Sequence, residues 1–142
     1  MDTLAIQIDL ASPTPAYRQI ADALRTLLVT GQLPPATHLP TVRQLAADLT
    51  VHHNTVAQAY RILADEGFLS LRRGRGALVT ERTAPAPSPA DERWLARRLR
   101  ETLAQALSKG MPREHLLQLC QAALDATTST PLNPAQEAPH EQ

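Results

Sequence analysis

The chain has 142 residues and balances 14 Lys plus Arg against 14 Asp plus Glu, so its net charge is zero at pH 7. This length predicts one compact domain with a small additional segment, and the zero balance neither requires nor excludes a nucleic-acid partner. The single cysteine excludes an internal disulfide and a multi-cysteine zinc site, and no apolar run is long enough to span a membrane. Because Met1-Asp2-Thr3 does not begin a signal peptide, we expect a soluble cytoplasmic protein.

The beginning of the chain is predicted to be a short arm followed by a helix. Within residues 1–11, apolar side chains alternate at positions 4, 6, 8 and 10, which favours a brief strand. Two prolines then interrupt the chain. Over residues 17–28 apolar side chains recur every three or four positions, as in an amphipathic helix, and Gly31 is expected to end that helix.

Two shorter helices are predicted next. Thr41 and Gln44 have the spacing of a capping box, which indicates that a second helix begins there. A third helix follows residues 50–51, and its buried residues are expected to be Val56, Ala59, Tyr60 and Leu63. Gly67 is predicted to end this helix in the left-handed conformation.

A β-hairpin is predicted after the third helix. Residues 68–72 and 77–80 are expected to be strands, joined by the loop Arg73-Gly74-Arg75-Gly76. Two short helices between a longer helix and a hairpin with a basic tip have the order of a winged helix-turn-helix. The predicted fold is therefore mainly α with a small β-hairpin, and residues 12–82 are its DNA-binding domain.

Residues 83–89 contain three prolines in seven positions, which is typical of a stiff linker. Ser88, Pro89 and Asp91 then form a favourable helix start. Residues 90–126 are predicted to be two short amphipathic helices, which need a partner to cover their apolar faces, and a two-fold dimer would supply it. The predicted dimerisation residues are Leu95, Leu99, Leu103, Leu107, Leu116, Leu119 and Leu124. Residues 127–142 are predicted to be a disordered tail.

Polar residues at the start of the third helix are of the types that read bases. Asn54 and Gln58 share a face and can bond adenine, while histidine can donate to phosphate or to guanine. Arg61 lies on the same outward face of the third helix. Arg43 stands in the first turn of a helix, where the helix dipole disfavours a cation, so it is either an exposed structural arginine or a contact to a phosphate or a guanine edge. The predicted DNA-binding residues are Thr41, Arg43, His52, His53, Asn54, Thr55, Gln58, Arg72, Arg73, Gly74 and Arg75.

Several linked motifs resemble the GntR family of bacterial transcription regulators over residues 12–82. They are Leu39-Pro40-Thr41-Val42-Arg43-Gln44-Leu45-Ala46, Val51-His52-His53-Asn54-Thr55-Val56-Ala57-Gln58-Ala59-Tyr60, Glu66-Gly67-Phe68-Leu69 and Arg73-Gly74-Arg75-Gly76-Ala77-Leu78-Val79. The resemblance implies that the family's DNA contacts fall on Arg43, on residues 52–55, and on Arg73 and Gly74.

The chain departs from many members of that family at the start of the third helix. At positions 52–55 many members carry Ser-Arg-Thr-Thr, whereas this chain has His52-His53-Asn54-Thr55. At position 57 they carry a second arginine, whereas this chain has Ala57. Asn-Thr-Val-Ala followed by Ala-Tyr instead resembles the YtrA-like branch, in which a short helical tail dimerises in place of a ligand-binding domain. This implies a homodimeric repressor that binds a palindromic operator and controls transporter genes, with no cofactor and with its effector unspecified.

Alternative functions were weighed against this one. Catalysis is disfavoured because His115 and Cys120, five residues apart, do not face each other on a helix. A metal-responsive regulator could use His38, His52 and His53, but no cysteine or acidic cluster supports those histidines. A winged helix that binds only another protein, without DNA, is the third alternative. We therefore expect no enzyme, no metal site and no membrane partner.

Overall fold

The computed structural model describes residues 4–128, which separate into two compact units. In the described part of the chain, the first unit covers residues 4–82 and the second covers residues 83–128. No helix among these residues is both long and apolar enough to cross a membrane.

The first unit contains three helices and a three-stranded antiparallel sheet. The helices are α1 (Ala16–Val29), α2 (Val42–Leu49) and α3 (His53–Asp65), and the strands are β1 (His38–Leu39), β2 (Leu69–Arg72) and β3 (Gly76–Val79). The strand order is β1-β3-β2, with Leu39 opposite Ala77 and Ser70 opposite Leu78. The predicted winged helix-turn-helix is therefore confirmed.

Helix α3 lies at the centre of the first unit and contacts α1, α2 and β2. One face of α3 is completely buried, through Val56, Ala59, Tyr60 and Leu63. Each fully buried large apolar side chain contributes about 1.5–3 kcal/mol to folding. The inward face therefore holds the helix firmly, while its other face remains exposed.

Local signals set the ends of α2 and α3. The capping box predicted at Thr41 is present: the Thr41 hydroxyl accepts from the Gln44 amide at 3.2 Å, and the Gln44 side chain accepts from the Thr41 amide at 2.9 Å. Thr50 ends α2 in the left-handed conformation. Gly67 has φ +87° just after α3, as the sequence predicted.

The strand predicted within residues 1–11 is wrong, because residues 4–9 belong to no strand. Their alternation reflects burial instead: Ile6 is buried and its apolar neighbours pack against the same core. The backbone of Asp9 bonds to the Gln19 side chain in both directions, at 2.8 Å each. The Asp9 backbone thus bonds to a side chain of α1, and the Ile6 amide bonds to the Leu4 carbonyl oxygen. Residues 1–3 lie outside the described residues.

The sheet contains one strand that the sequence analysis missed. Strand β1 has only two residues and is followed by Pro40, so it shows no alternation. It exists because it pairs with β3 over a long sequence separation.

The second unit consists of α4 (Pro89–Ser108) and α5 (Arg113–Thr128), which contact each other. The start predicted for α4 is present, since Ser88 and Asp91 form a capping box. Helix α4 begins at Pro89, as its predicted start required, so the linker ends at residue 88, and α5 extends to Thr128, into the predicted tail. The two helices have 20 and 16 residues. Residues 129–142 of that tail lie outside the described residues.

The leucines predicted to form a dimer interface differ in exposure. Leu116 is buried and Leu103 is half-buried. The others are between 47% and 59% exposed, namely Leu95, Leu99, Leu107, Leu119 and Leu124. Within one chain, α4 and α5 therefore leave much apolar surface in contact with water.

Candidate nucleic-acid interface

The start of α2, the exposed side of α3 and the β2–β3 hairpin, here called the wing, border one cleft of about 650 Å³. Its lining residues are Thr41, Val42, Arg43, His53, Ala57, Tyr60, Arg61, Leu71, Arg72, Arg73, Gly74 and Gly76. Four of these are arginines, supplied by three different parts of the fold, and none is a carboxylate. A groove of this kind is suited to phosphate groups.

Helix α3 faces the cleft with His53, Ala57 and Arg61, which are four residues apart and so lie on one face. The small side chain of Ala57 adds no bulk at the middle of this row. Arg61 was absent from the predicted DNA-binding set, although the sequence analysis placed it on the outward face of α3. The spacing of four residues between Ala57 and Arg61 indicates that they share a helix face. Only the position of the wing shows that this face lines a cleft.

Other predicted base-reading residues lie beside this row. Asn54 and Gln58 are exposed and do not line the cleft. Thr55 is half-buried, and its amide bonds to the carbonyl oxygen of His52 at 3.0 Å. Asn54 and Gln58 are therefore more accessible to a base edge than Thr55.

His52 has a structural role that the sequence analysis did not identify. It is the N-cap of α3, and its Nδ1 accepts a hydrogen bond from the Asn54 amide at 3.1 Å. Because Nδ1 is the acceptor, the proton of the neutral ring is on Nε2, which can donate to a partner. The ring of His52 also stacks on that of His53, with centroids 4.2 Å apart.

The electrostatic environment of His53 disfavours its cation in the free protein. Partial burial lowers the pKa of His53, and the nearby charges of His52 and Arg43 lower it further. A phosphate placed between these groups would reverse that balance, because an opposite charge favours the protonated ring.

Arg43 is exposed one residue after the first residue of α2 and forms no ion pair with the rest of the described chain. Thr41, also predicted to bind DNA, uses its hydroxyl oxygen as the acceptor of the capping box. Its hydroxyl proton remains available as a donor. Thr41 thus fixes the start of the helix from which Arg43 extends.

The tip of the wing carries the predicted basic residues Arg72, Arg73 and Arg75, all exposed. The Arg75 amide bonds to the Arg72 carbonyl oxygen at 3.1 Å and closes the turn. Gly74 has φ +72° with open space around it, so the backbone conformation, not crowding, requires glycine.

Among residues 4–128, no group of three or more His, Cys, Asp or Glu side chains is arranged to hold a metal ion. The rings of His52 and His53 stack, whereas His38 is on β1 and does not line the cleft that His53 lines. The histidines are better explained by the cap and the cleft.

The chain was compared with known protein families and with curated relatives. The family described as bacterial regulatory proteins, gntR family, matches residues 16–79. The HTH-type transcriptional repressor YtrA of Bacillus subtilis (strain 168) is 33% identical over 111 residues, covering 78% of this chain and 85% of YtrA. The match with YtrA thus extends beyond the winged helix.

Solved structures support the same assignment. YtrA from Sulfolobus acidocaldarius, a GntR-family transcription factor, is 37% identical, with a TM-score of 0.52, and the match covers 72% of this chain and 97% of that one. A transcriptional antiterminator from Listeria monocytogenes EGD-e has the same fold, with a TM-score of 0.69 at 24% identity over 86% of this chain and 91% of that one. The family and these relatives are regulators and not enzymes. The chain therefore belongs to the GntR family of DNA-binding bacterial transcription regulators and is similar to its YtrA-type members.

Proposed function

We propose that the chain is a repressor that binds a palindromic operator as a homodimer. The observation that carries this proposal is the cleft in which arginines from α2, α3 and the wing meet beside the exposed face of α3. Each copy would present one such surface, and a two-fold dimer would present two of them to two half-sites.

Within one half-site, each part of the interface has its own task. Helix α3 enters the major groove, where Asn54 and Gln58 are able to bond adenine edges. Arg43 reaches a guanine edge at the side of the groove, and the wing arginines bind phosphates of the flank. The phosphate contacts of the wing fix the register, and Arg43 and the side chains of α3 read the sequence.

The dimer is proposed to form through the second unit. Its leucines at positions 95, 99, 107 and 119 expose about half of their surface or more, which costs free energy in water. A second copy would cover them, in the manner of a helical bundle.

The repressor role and the control of transporter genes are proposed from the likeness to YtrA-type members. The YtrA of Bacillus subtilis is named a transcriptional repressor. A repressor of this kind would act by occupying an operator that overlaps a promoter.

Selection of random duplex DNA by the purified full chain tests the proposal. We expect an inverted repeat, recovered at two salt concentrations, with weaker recovery at the higher one because phosphate contacts release counterions. A variant with Arg72, Arg73 and Arg75 changed to Gln should lose affinity and salt dependence. Binding without any motif, or no binding at all, would contradict the proposal and favour a protein partner.

A further inference from the structure

Residues 39–41 connect β1 to α2 and are held from two sides at the wall of the cleft. From α3, the Tyr60 hydroxyl donates a hydrogen bond to the Pro40 carbonyl oxygen at 2.8 Å. From β3, Gly76 comes so close that a Cβ there would lie 2.5 Å from the Leu39 carbonyl oxygen and 2.9 Å from that of Pro40. The connection therefore contacts both α3 and the wing.

The Tyr60 hydroxyl is suited to hold a carbonyl. The side chain is 1% exposed, and burial raises the pKa of its phenol far above the ordinary value, so the donor keeps its proton. Packing in the core requires only the aromatic ring of Tyr60 and not its hydroxyl. The hydroxyl adds a single hydrogen bond within the described residues, the one to Pro40.

Gly76 completes the contact from the opposite side. Its φ is +75°, and the space that a side chain would occupy is filled by backbone carbonyls. The pairing of Leu39 with Ala77 keeps strands β1 and β3 at that separation. No residue larger than glycine fits without displacing the connection or the wing.

The connection leads directly to the residues that face DNA. Thr41, the N-cap of α2, follows Pro40, and Arg43 is two residues further on. A shift of the Pro40 carbonyl would move the start of α2, and with it Arg43, relative to α3 and the wing.

We propose that Tyr60 and Gly76 are positioning residues that fix the Pro40 carbonyl between α3 and the wing and so set the sequence specificity of DNA binding through Arg43. This inference rests on the proposed operator binding. It assigns a role to a buried hydroxyl and a backbone contact that do not themselves read bases.

Tyr60→Phe in the full chain tests the inference. We expect affinity for the selected operator to fall by up to about tenfold, because restoring the position of Arg43 on binding then costs free energy that one hydrogen bond otherwise supplies, while affinity for a random duplex of equal length is unchanged. Circular dichroism at the binding temperature verifies that the variant is folded. Tyr17→Phe is the matched control, because the Tyr17 hydroxyl makes no hydrogen bond in the described part of the chain and should change neither affinity.

The same substitution in an Arg43→Ala background separates positioning from a general loss of structure. If Tyr60 acts through Arg43, Tyr60→Phe causes little further loss there. Additive losses, equal losses on both duplexes, or no loss on the operator would each overturn the inference. A wild-type chain that does not prefer the operator would instead refute the proposed function. Gly76→Ala is a poorer probe because its backbone strain can prevent folding.

Discussion

The arginines of the first unit differ in what their side chains bind. Arg25 donates to both carboxylate oxygens of Glu66, at 2.7 and 2.9 Å, and Arg82 donates to the Glu66 carbonyl oxygen at 2.8 Å. These two arginines hold the end of α3. In contrast, Arg43 and Arg61 face the cleft with no carboxylate partner in the described part of the chain. The paired arginines stabilise the fold, and the unpaired ones are free to bind phosphate.

Arg43→Ala and Asn54→Ala should both weaken operator binding without lowering the melting temperature, because both side chains are exposed. Losing one such contact costs roughly 1–3 kcal/mol. Both substitutions should weaken binding to the operator more than binding to a random duplex, because both side chains are proposed to contact base edges. Gel-shift titrations measure this, with Arg18→Ala on α1 as a control of equal charge. Retained affinity in either variant would remove that residue from the interface.

His53 should make DNA binding stronger as the pH falls from 8 toward 6. In the free protein its pKa is lowered by partial burial and by the charges of His52 and Arg43. Bound phosphates favour the cation, so the complex holds more protons than the free protein and acid favours binding. Anisotropy titrations at fixed salt measure the effect, and His53→Gln should abolish it. The same pH dependence in His53→Gln would assign the effect to another group.

The N-caps of α2 and α3 fix where these helices begin, and so fix the positions of the side chains at their starts. The imidazole of His52 caps α3 only while Nδ1 is unprotonated, since a protonated nitrogen cannot accept a hydrogen bond.

His52→Ala should lower the free energy of unfolding by about 1 kcal/mol, the usual cost of losing an N-cap. His52→Ser should retain most of the stability, because its hydroxyl can accept from the same amide. Urea denaturation at pH 8 measures both variants. Equal stability of His52→Ala and the wild type would show that the 3.1 Å contact contributes nothing.

Elements set by local chemistry were predictable from the sequence, and those set by distant pairing were not. The capping boxes at Thr41 and Ser88 depend on side chains three residues apart, so they could be read directly. Strand β1 depends on β3, about 40 residues away, and the arm depends on the Gln19 side chain. The structure places the predicted DNA-binding residues at the starts of α2 and α3, along α3 and in the wing, and the place of Arg61 in the cleft required the wing's position.

Operator binding as proposed requires a second copy of the chain. The first unit has a buried core of its own, whereas α4 has no buried residue. An interface through α4 and α5 would stabilise these helices and link two DNA-binding units.

Leu99→Glu should convert dimers to monomers and weaken operator binding, because it places a charge on the apolar face of α4 where Leu99 is 47% exposed. Gln105→Glu adds the same charge at an exposed position elsewhere on α4 and should leave the dimer intact. Light scattering gives the molecular mass of each. A dimeric Leu99→Glu chain would place the interface elsewhere.

The most direct test of the central claim is the number of chains bound to one selected duplex, measured by analytical ultracentrifugation on the intact operator and on one with a scrambled half-site. We expect two chains on the intact operator and a large loss of affinity when either half-site is scrambled, since the α3 helices of both chains must bind together. A single chain per duplex, with affinity unchanged by scrambling, would contradict it.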